Sequence, residues 1–227
     1  MNKELYVYDG VNEIQLRALK DRLMDFISLG SQKIKNTDLK FSDNGKVIVK
    51  EGSLLHGTNY NEKKLRSIAN SGVITYEFFG KKEIGGTNYH AEFYRANKDM
   101  SLKEFTNDPR PFFPKKDNTL VGFLIVPSPE VESIFLSDSL DQNSIIEDDI
   151  RSLCNAGFIY HKDELINKTV AAIPIGVPSN CFSAIVIGNK LKSSKKKMDF
   201  LKKTFSNIYI LDTTGKILER PSDENEK

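Results

Sequence analysis

Ser53-Leu54-Leu55-His56-Gly57-Thr58-Asn59 is the stretch that decides the architecture of the chain. Its apolar opening reads as a short strand, Ser53 to His56, that ends in His-Gly-Thr. Asn61 then stands where a side-chain oxygen caps the first turn of a helix, and Leu65 and Ile68 give that helix an apolar stripe. Gly72 closes it, because glycine takes the left-handed conformation that commonly follows the last helical residue. Strand, cap, helix and stop thus follow one another within about twenty residues, a spacing typical of compact domains.

Working outward, Lys46-Val47-Ile48-Val49 reads as a preceding strand, entered through the tight turn Asp43-Asn44-Gly45. From Asn12 to about Lys35, the residues Ile14, Leu16, Leu19, Leu23, Phe26 and Ile27 recur at mainly three- and four-residue steps, which predicts an amphipathic helix. Residues 1–45 are therefore expected to be an N-terminal helical extension, and 46–220 the main domain. On the other side, Lys81 to Arg110 contains Gly85-Gly86 and little periodicity, so it reads as loop-rich. Leu120 to Val126 is an uninterrupted run of strand formers between Asn118 and Pro127, the pattern of a buried strand.

Helices are expected near Glu130–Leu136 and Ile145–Cys154, with an extended stretch at Phe158–Tyr160. The final third alternates clearly. Strand Val170–Ile173 is followed by the break Pro174-Ile175-Gly176-Val177-Pro178, then strand Ala184–Ile187, a Lys-rich helix from Ser194 to Phe205, and strand Ile208–Leu211. Thr214-Gly215 turns the chain into Lys216-Ile217-Leu218, and residues 221–227 form an acidic tail expected to be disordered. Short strands with separated helices predict the α+β class.

Composition bounds the function. Hydrophobic residues at 39% and charged residues at 28% lie near globular averages, so a packed core is expected. Lys and Arg total 33 against 31 Asp and Glu, so the whole chain lacks the footprint of a dedicated nucleic-acid binder, although local clusters can still meet phosphates. Cys154 and Cys181 have no metal-ligand spacing, and no metal is expected. The start Met1-Asn2-Lys3-Glu4-Leu5 has no apolar leader region, and no apolar run reaches the length of a membrane span. The expectation is a soluble cytoplasmic protein with no membrane partner; export by a signal-independent route would leave no mark.

The run from Leu54 to Thr58, its following helix and the closing Ser71-Gly72-Val73 resemble the poly(ADP-ribose) polymerase and diphtheria-toxin-like branch of the ADP-ribosyltransferases. There an apolar strand ends in His-Gly-Ser/Thr, and the next helix closes in Gly-Leu. Gly85-Gly86-Thr87-Asn88-Tyr89-His90-Ala91 resembles the family's second motif, Gly-hydrophobic-Tyr-Phe-Ala, with Tyr89 in register. The resemblance implies a split β-sheet core with NAD as co-substrate. It also implies that His56 contacts the adenosine ribose, that the Gly57 backbone pairs with the nicotinamide carboxamide beside Thr58, and that Tyr89 stacks on the nicotinamide ring. Physical chemistry agrees with those roles. An imidazole nitrogen can bond a ribose hydroxyl, a glycine lets a flat ligand approach the backbone, and a phenol face suits a planar partner.

The family's third element is a strand-borne Glu that supports the charge developing as the glycosidic bond breaks. Counting back from Ala184–Ile187 places that position near Thr169, with Glu164 the nearest upstream carboxylate. Glu130 and Glu132 have the paired acidic spacing of the toxin signature but lack its Ser-Thr-Ser and Arg companions. The implied activity is mono-ADP-ribosylation of a macromolecular acceptor, protein or nucleic acid, with release of nicotinamide. A catalytically silent NAD or ADP-ribose binding module, or a plain interaction protein, is the alternative. An inhibitory partner fits either, and the apolar stripe of the N-terminal helix is one place to dock it.

Arg66, on the helix behind His-Gly-Thr, is positioned to reach a pyrophosphate or to remain in solvent. Lys190, Lys192, Lys195, Lys196, Lys197, Lys202 and Lys203 read first as a solvated helix face, with phosphate binding as the other reading. His90 and His161 read as ordinary surface or hydrogen-bonded histidines, and Cys181 as a small buried apolar residue.

Overall fold

Alternation of apolar residues builds the central layer, and the computed structural model describes it over residues 39–74, 90–107, 119–126, 168–174 and 176–222. The strands are β1 (Lys40–Phe41), β2 (Val47–Val49), β3 (Leu54–Asn59), β4 (Val73–Ile74), β5 (His90–Ala96) and β6 (Met100–Ser101). They continue with β7 (Leu120–Ile125), β8 (Lys168–Pro174), β9 (Gly176–Val177), β10 (Ala184–Ile187), β11 (Tyr209–Asp212) and β12 (Ile217–Glu219). The helices are α1 (Glu62–Ser71), α2 (Leu102–Asn107), α3 (Asn189–Lys192) and α4 (Lys195–Thr204), with a single turn of 3-10 helix at Ser179–Cys181.

Among the described residues, seven strands form one sheet in the order β12-β11-β10-β7-β3-β5-β8. Its β10–β11 pair is parallel and the other five are antiparallel. Strands β1, β2 and β6 make a second sheet, and β4 pairs with β9 in a third. The chain is therefore a mixture of α and β structure in which antiparallel pairing dominates, with no helix among the described residues long and apolar enough to cross a membrane.

Both faces of the large sheet are covered. One face carries Phe93, Val121, Phe123, Ile125, Ile185 and Ile187, packed under Leu65 and Ile68 of α1 and Leu201 of α4. The other carries Leu55, Leu124, Val186 and Leu211, packed against Val47 and Val49 of β2 and Leu102 and Phe105 of α2. Period-two alternation sorts each strand between these two cores.

The local signals around α1 act as their chemistry predicts. Asn61 accepts a hydrogen bond from the Lys64 amide at 3.0 Å, and the Gly72 amide donates to the Ile68 carbonyl at 2.7 Å. Gly72 has φ 111°, and a Cβ there would lie 2.2 Å from the Val177 carbonyl oxygen. Only glycine lets the end of α1 pass so close to β9.

Two expectations need correction. The stretch from Lys81 to Arg110 is not loop throughout, since β5, β6 and α2 occupy 90–107. Polar residues are interleaved with apolar ones there, and Tyr94 and Arg95 are both only half-buried, so no clean alternation shows in the sequence. The strand beginning near Ser53 does not stop at His56 but runs to Asn59, so the histidine is interior to it. At the other end of the expected extension, Lys40 and Phe41 pair with Ile48 and Val47, and Phe41 packs edge-on to Tyr209 at 6.3 Å. The expected helix over Asn12–Lys35, those near Glu130–Leu136 and Ile145–Cys154, the stretch Phe158–Tyr160 and nearly all of the acidic tail lie outside the described residues.

Candidate functional site

β3 sits near the middle of the large sheet, and its two edges have different partners. Toward β7 all six residues from Leu54↔Ile125 to Asn59↔Leu120 are in register. Toward β5 the register holds only for Leu54↔Arg95 and Leu55↔Tyr94. Beyond that point β5 continues along β8, paired at every residue from His90↔Pro174 to Ala96↔Lys168. Among the described residues, the sheet thus parts between β3 and β5 at the His-Gly step.

Backbone direction can be read from two flanking bonds. The Ser53 carbonyl accepts from the Ala96 amide at 2.9 Å, and the Tyr60 amide donates to the Thr119 carbonyl at 3.0 Å. In an antiparallel strand the N–H and C=O of one residue point to the same edge, and successive residues alternate. Odd positions of β3 therefore address β5 and even positions address β7. His56 and Thr58 turn their backbone groups into the closed ladder, while Gly57 turns its N–H and C=O toward the parting.

The side chains divide the other way. His56 and Thr58 lie opposite Phe123 and Val121 and belong to the face covered by α1 and α4. The imidazole is half-buried, 5.4 Å from the Phe93 ring at an interplanar angle of 57°, and Thr58 is buried. Gly57 pairs with Gly122, so two adjacent strands lack side chains at one spot on the opposite face.

Of the other residues singled out from sequence, Thr169 lies on β8 in register with Arg95, which is itself in register with Leu54. Two strand spacings, roughly 10 Å, separate its backbone from β3. Tyr89 and Glu164 lie outside the described residues. Arg66 is drawn to the seam between α1 and α4, its guanidinium 4.9 Å from the Phe200 ring centre.

That seam holds residues the sequence reading passed over. Tyr60, directly after β3, stands edge-on to Phe200 at 5.9 Å, lies under the Lys197 ammonium at 5.0 Å and donates its hydroxyl to Glu62 Oε1 at 3.2 Å. Burial, and then the neighbouring Glu62 carboxylate, push the Tyr60 phenol up to about 12. Phe93 was hidden because it lay in a stretch read as loop. A tyrosine so soon after the motif was visible, but its partners come from α4 and no local pattern announces them.

A cleft of about 460 Å³, lined by Ser42, Lys46, Asp99, Ser101, Lys103 and Thr214 among others, lies on the α2 side of the sheet. Among the described residues, none of those predicted for the site lines it. Comparison with protein-family models, with curated proteins and with solved structures finds no match for the chain.

Proposed function

We propose that the chain is an NAD-dependent mono-ADP-ribosyltransferase whose nicotinamide subsite lies at the parting between β3 and β5. One observation carries this reading. β3 carries His-Gly-Thr, β5 begins with the residue that follows Tyr89 in sequence, and β8 carries Thr169; distant in sequence, these three are neighbouring strands, and the ladder between the first two opens at Gly57.

A carboxamide presents a donor and an acceptor side by side, and a backbone edge presents the complementary pair. Gly57 offers that edge without a side chain. His56, half-buried beside Phe93, stands at the position that the resemblance gives to the imidazole on the ribose, and Tyr89 supplies the stacking face. In the reaction the bond from ribose C1 to the nicotinamide nitrogen breaks, its electron pair leaves with nicotinamide, and a nucleophile of the acceptor bonds to C1. Holding the two reactants in that alignment is a large part of the rate gain. With Thr169 in the third position, the site lacks a carboxylate for chain elongation, which fits transfer of a single unit; Glu164 is the carboxylate that would supply ordinary catalysis if it reaches the ribose.

The same threonine favours a second reading, a silent NAD or ADP-ribose binding module. Incubation with labelled NAD and lysate separates the two. The parent should label an acceptor; His56→Ala should lower labelling by about 100-fold, the usual scale for losing one positioned polar group, and Tyr89→Ala by about 10-fold, the scale for losing a stacked ring. Full labelling by both variants would remove the assignment. NAD binding in a calorimeter without nicotinamide release would select the silent module.

A further inference from the structure

The layer that covers His56 is basic on its outer side. Lys63, Lys64 and Arg66 are exposed on α1, and Lys195, Lys196 and Lys203 are exposed on α4. The two helices share one core through Leu65, Ile68 and Leu201, and their seam is closed by Arg66 over Phe200 and Lys197 over Tyr60. The acids on these two helices are Glu62, which accepts the Tyr60 hydroxyl, and Asp199. Nearby lysines are partnered: Lys192 reaches Asp212 at 2.9 Å and Lys202 reaches Glu219 at 2.5 Å. Among the described residues, no carboxylate lies within salt-bridge reach of Lys63, Lys64, Lys195, Lys196 or Lys203. The whole chain carries a formal charge of only +2, so the excess on these two helices is local.

We infer that the α1–α4 surface binds the phosphate backbone of a nucleic acid, and that this nucleic acid is the acceptor. Lys196 and Lys203 lie two helical turns apart, about 10 Å, which matches about three base-pair rises along a duplex axis. Ammonium groups at such a spacing each displace condensed counterions, the main source of affinity for a phosphate chain. The surface also lies next to the proposed chemistry. Tyr60, on which Lys197 sits, follows Gly57 by three residues, or roughly 10 Å of extended chain. Standing as the acceptor rests on the NAD chemistry proposed above; the binding does not.

The test is fluorescence anisotropy, without NAD, using labelled single-stranded DNA, RNA of the same sequence and the DNA duplex across a salt series. The parent should bind at least one of them with an affinity that falls steeply with salt. Changing Lys63, Lys64, Lys195, Lys196 and Lys203 together to Ala should weaken binding more than about 10-fold at moderate salt and reduce the slope of log affinity against log salt by about 3. Replacing Lys46, Lys50 and Lys103, which lie on or beside β2 and α2 across the sheet, should change affinity by less than about 3-fold. Comparable losses in the two variants, or no salt-dependent binding by the parent, would overturn the inference. Tighter binding of a polyglutamate of equal charge than of any nucleic acid would overturn it in favour of an acidic protein. Because the His56 and Tyr89 variants report on transfer and the lysine variants on binding, failure of either idea leaves the other readable.

Discussion

β3 is held along its whole length by β7 and at only its first two residues by β5. On the β7 side three buried rings pack together, with Phe123 5.0 Å from Phe182 and 5.8 Å from Phe205. Farther along that side, β11 ends in a turn organised by Asp212, whose carboxylate accepts from the Thr214 amide and hydroxyl, the Lys216 amide and the Lys192 ammonium. On the β5 side a short neck joins β3 to a seven-residue ribbon formed with β8. The contrast separates two duties of one strand: one edge anchors it, and the other leaves main-chain polar groups turned toward an opening where a ligand can pair with them.

The anchoring claim is tested hardest at its centre. Phe123→Ala should cost about 3–5 kcal/mol, the range for deleting a fully buried aromatic, read as a fall in the midpoint of urea unfolding. A loss below about 1 kcal/mol would mean that the closed side does not anchor the sheet. Asp212→Ala should cost about 1–3 kcal/mol, because several donors around a nearly buried carboxylate lose their acceptor together.

The acid limb sharpens the same point. Burial works to raise the Asp212 carboxyl, but hydrogen bonds from Thr214, Lys192 and Lys216 outweigh it and hold the group below its ordinary 3.8. A depressed carboxyl contributes fully above its unfolded value, and that contribution is lost as pH falls through the lower folded value. Asp212→Asn should therefore flatten the dependence of unfolding midpoint on pH at and below about pH 4. An unchanged acid limb would remove Asp212 from the account.

The smallest effect tests the open edge itself. Amide exchange at His56 and Thr58, whose N–H groups enter the β7 ladder, should be slow, and exchange at Gly57 faster. NAD should then slow Gly57 selectively. Equal protection of all three amides in the free protein would show that the parting is closed in solution.

What could be read from sequence follows the range of the interactions. Ala184–Ile187 coincides with its strand, and Leu120 to Ile125 with all but the last residue of its run, because continuous burial leaves a continuous apolar signature. Asn61 and Gly72 bound α1 as capping chemistry requires. β5 escaped because both its even and its odd positions mix polar with apolar residues, Glu92 and Tyr94 on one and Phe93 and Arg95 on the other, so no simple alternation survives in His90–Ala96. The site was legible only in part. The sequence marked His56 and Gly57, but nothing local could tell that Phe93 would meet the imidazole, that Arg66 would be held by Phe200, or that the ladder would part at Gly57. Those facts belong to strands brought together from far apart in the chain.

Strands β10 and β11 are parallel, so the chain must cross over the sheet between them, and α3 and α4 are that crossing. Leu191, Leu201 and Phe205 fix the crossing from within, and Lys192 and Lys202 tie it to Asp212 and Glu219, whereas Lys195, Lys196 and Lys203 are exposed. Natural drift or deliberate engineering at those three lysines can therefore recolour the electrostatics of this layer while the strands beneath keep their packing.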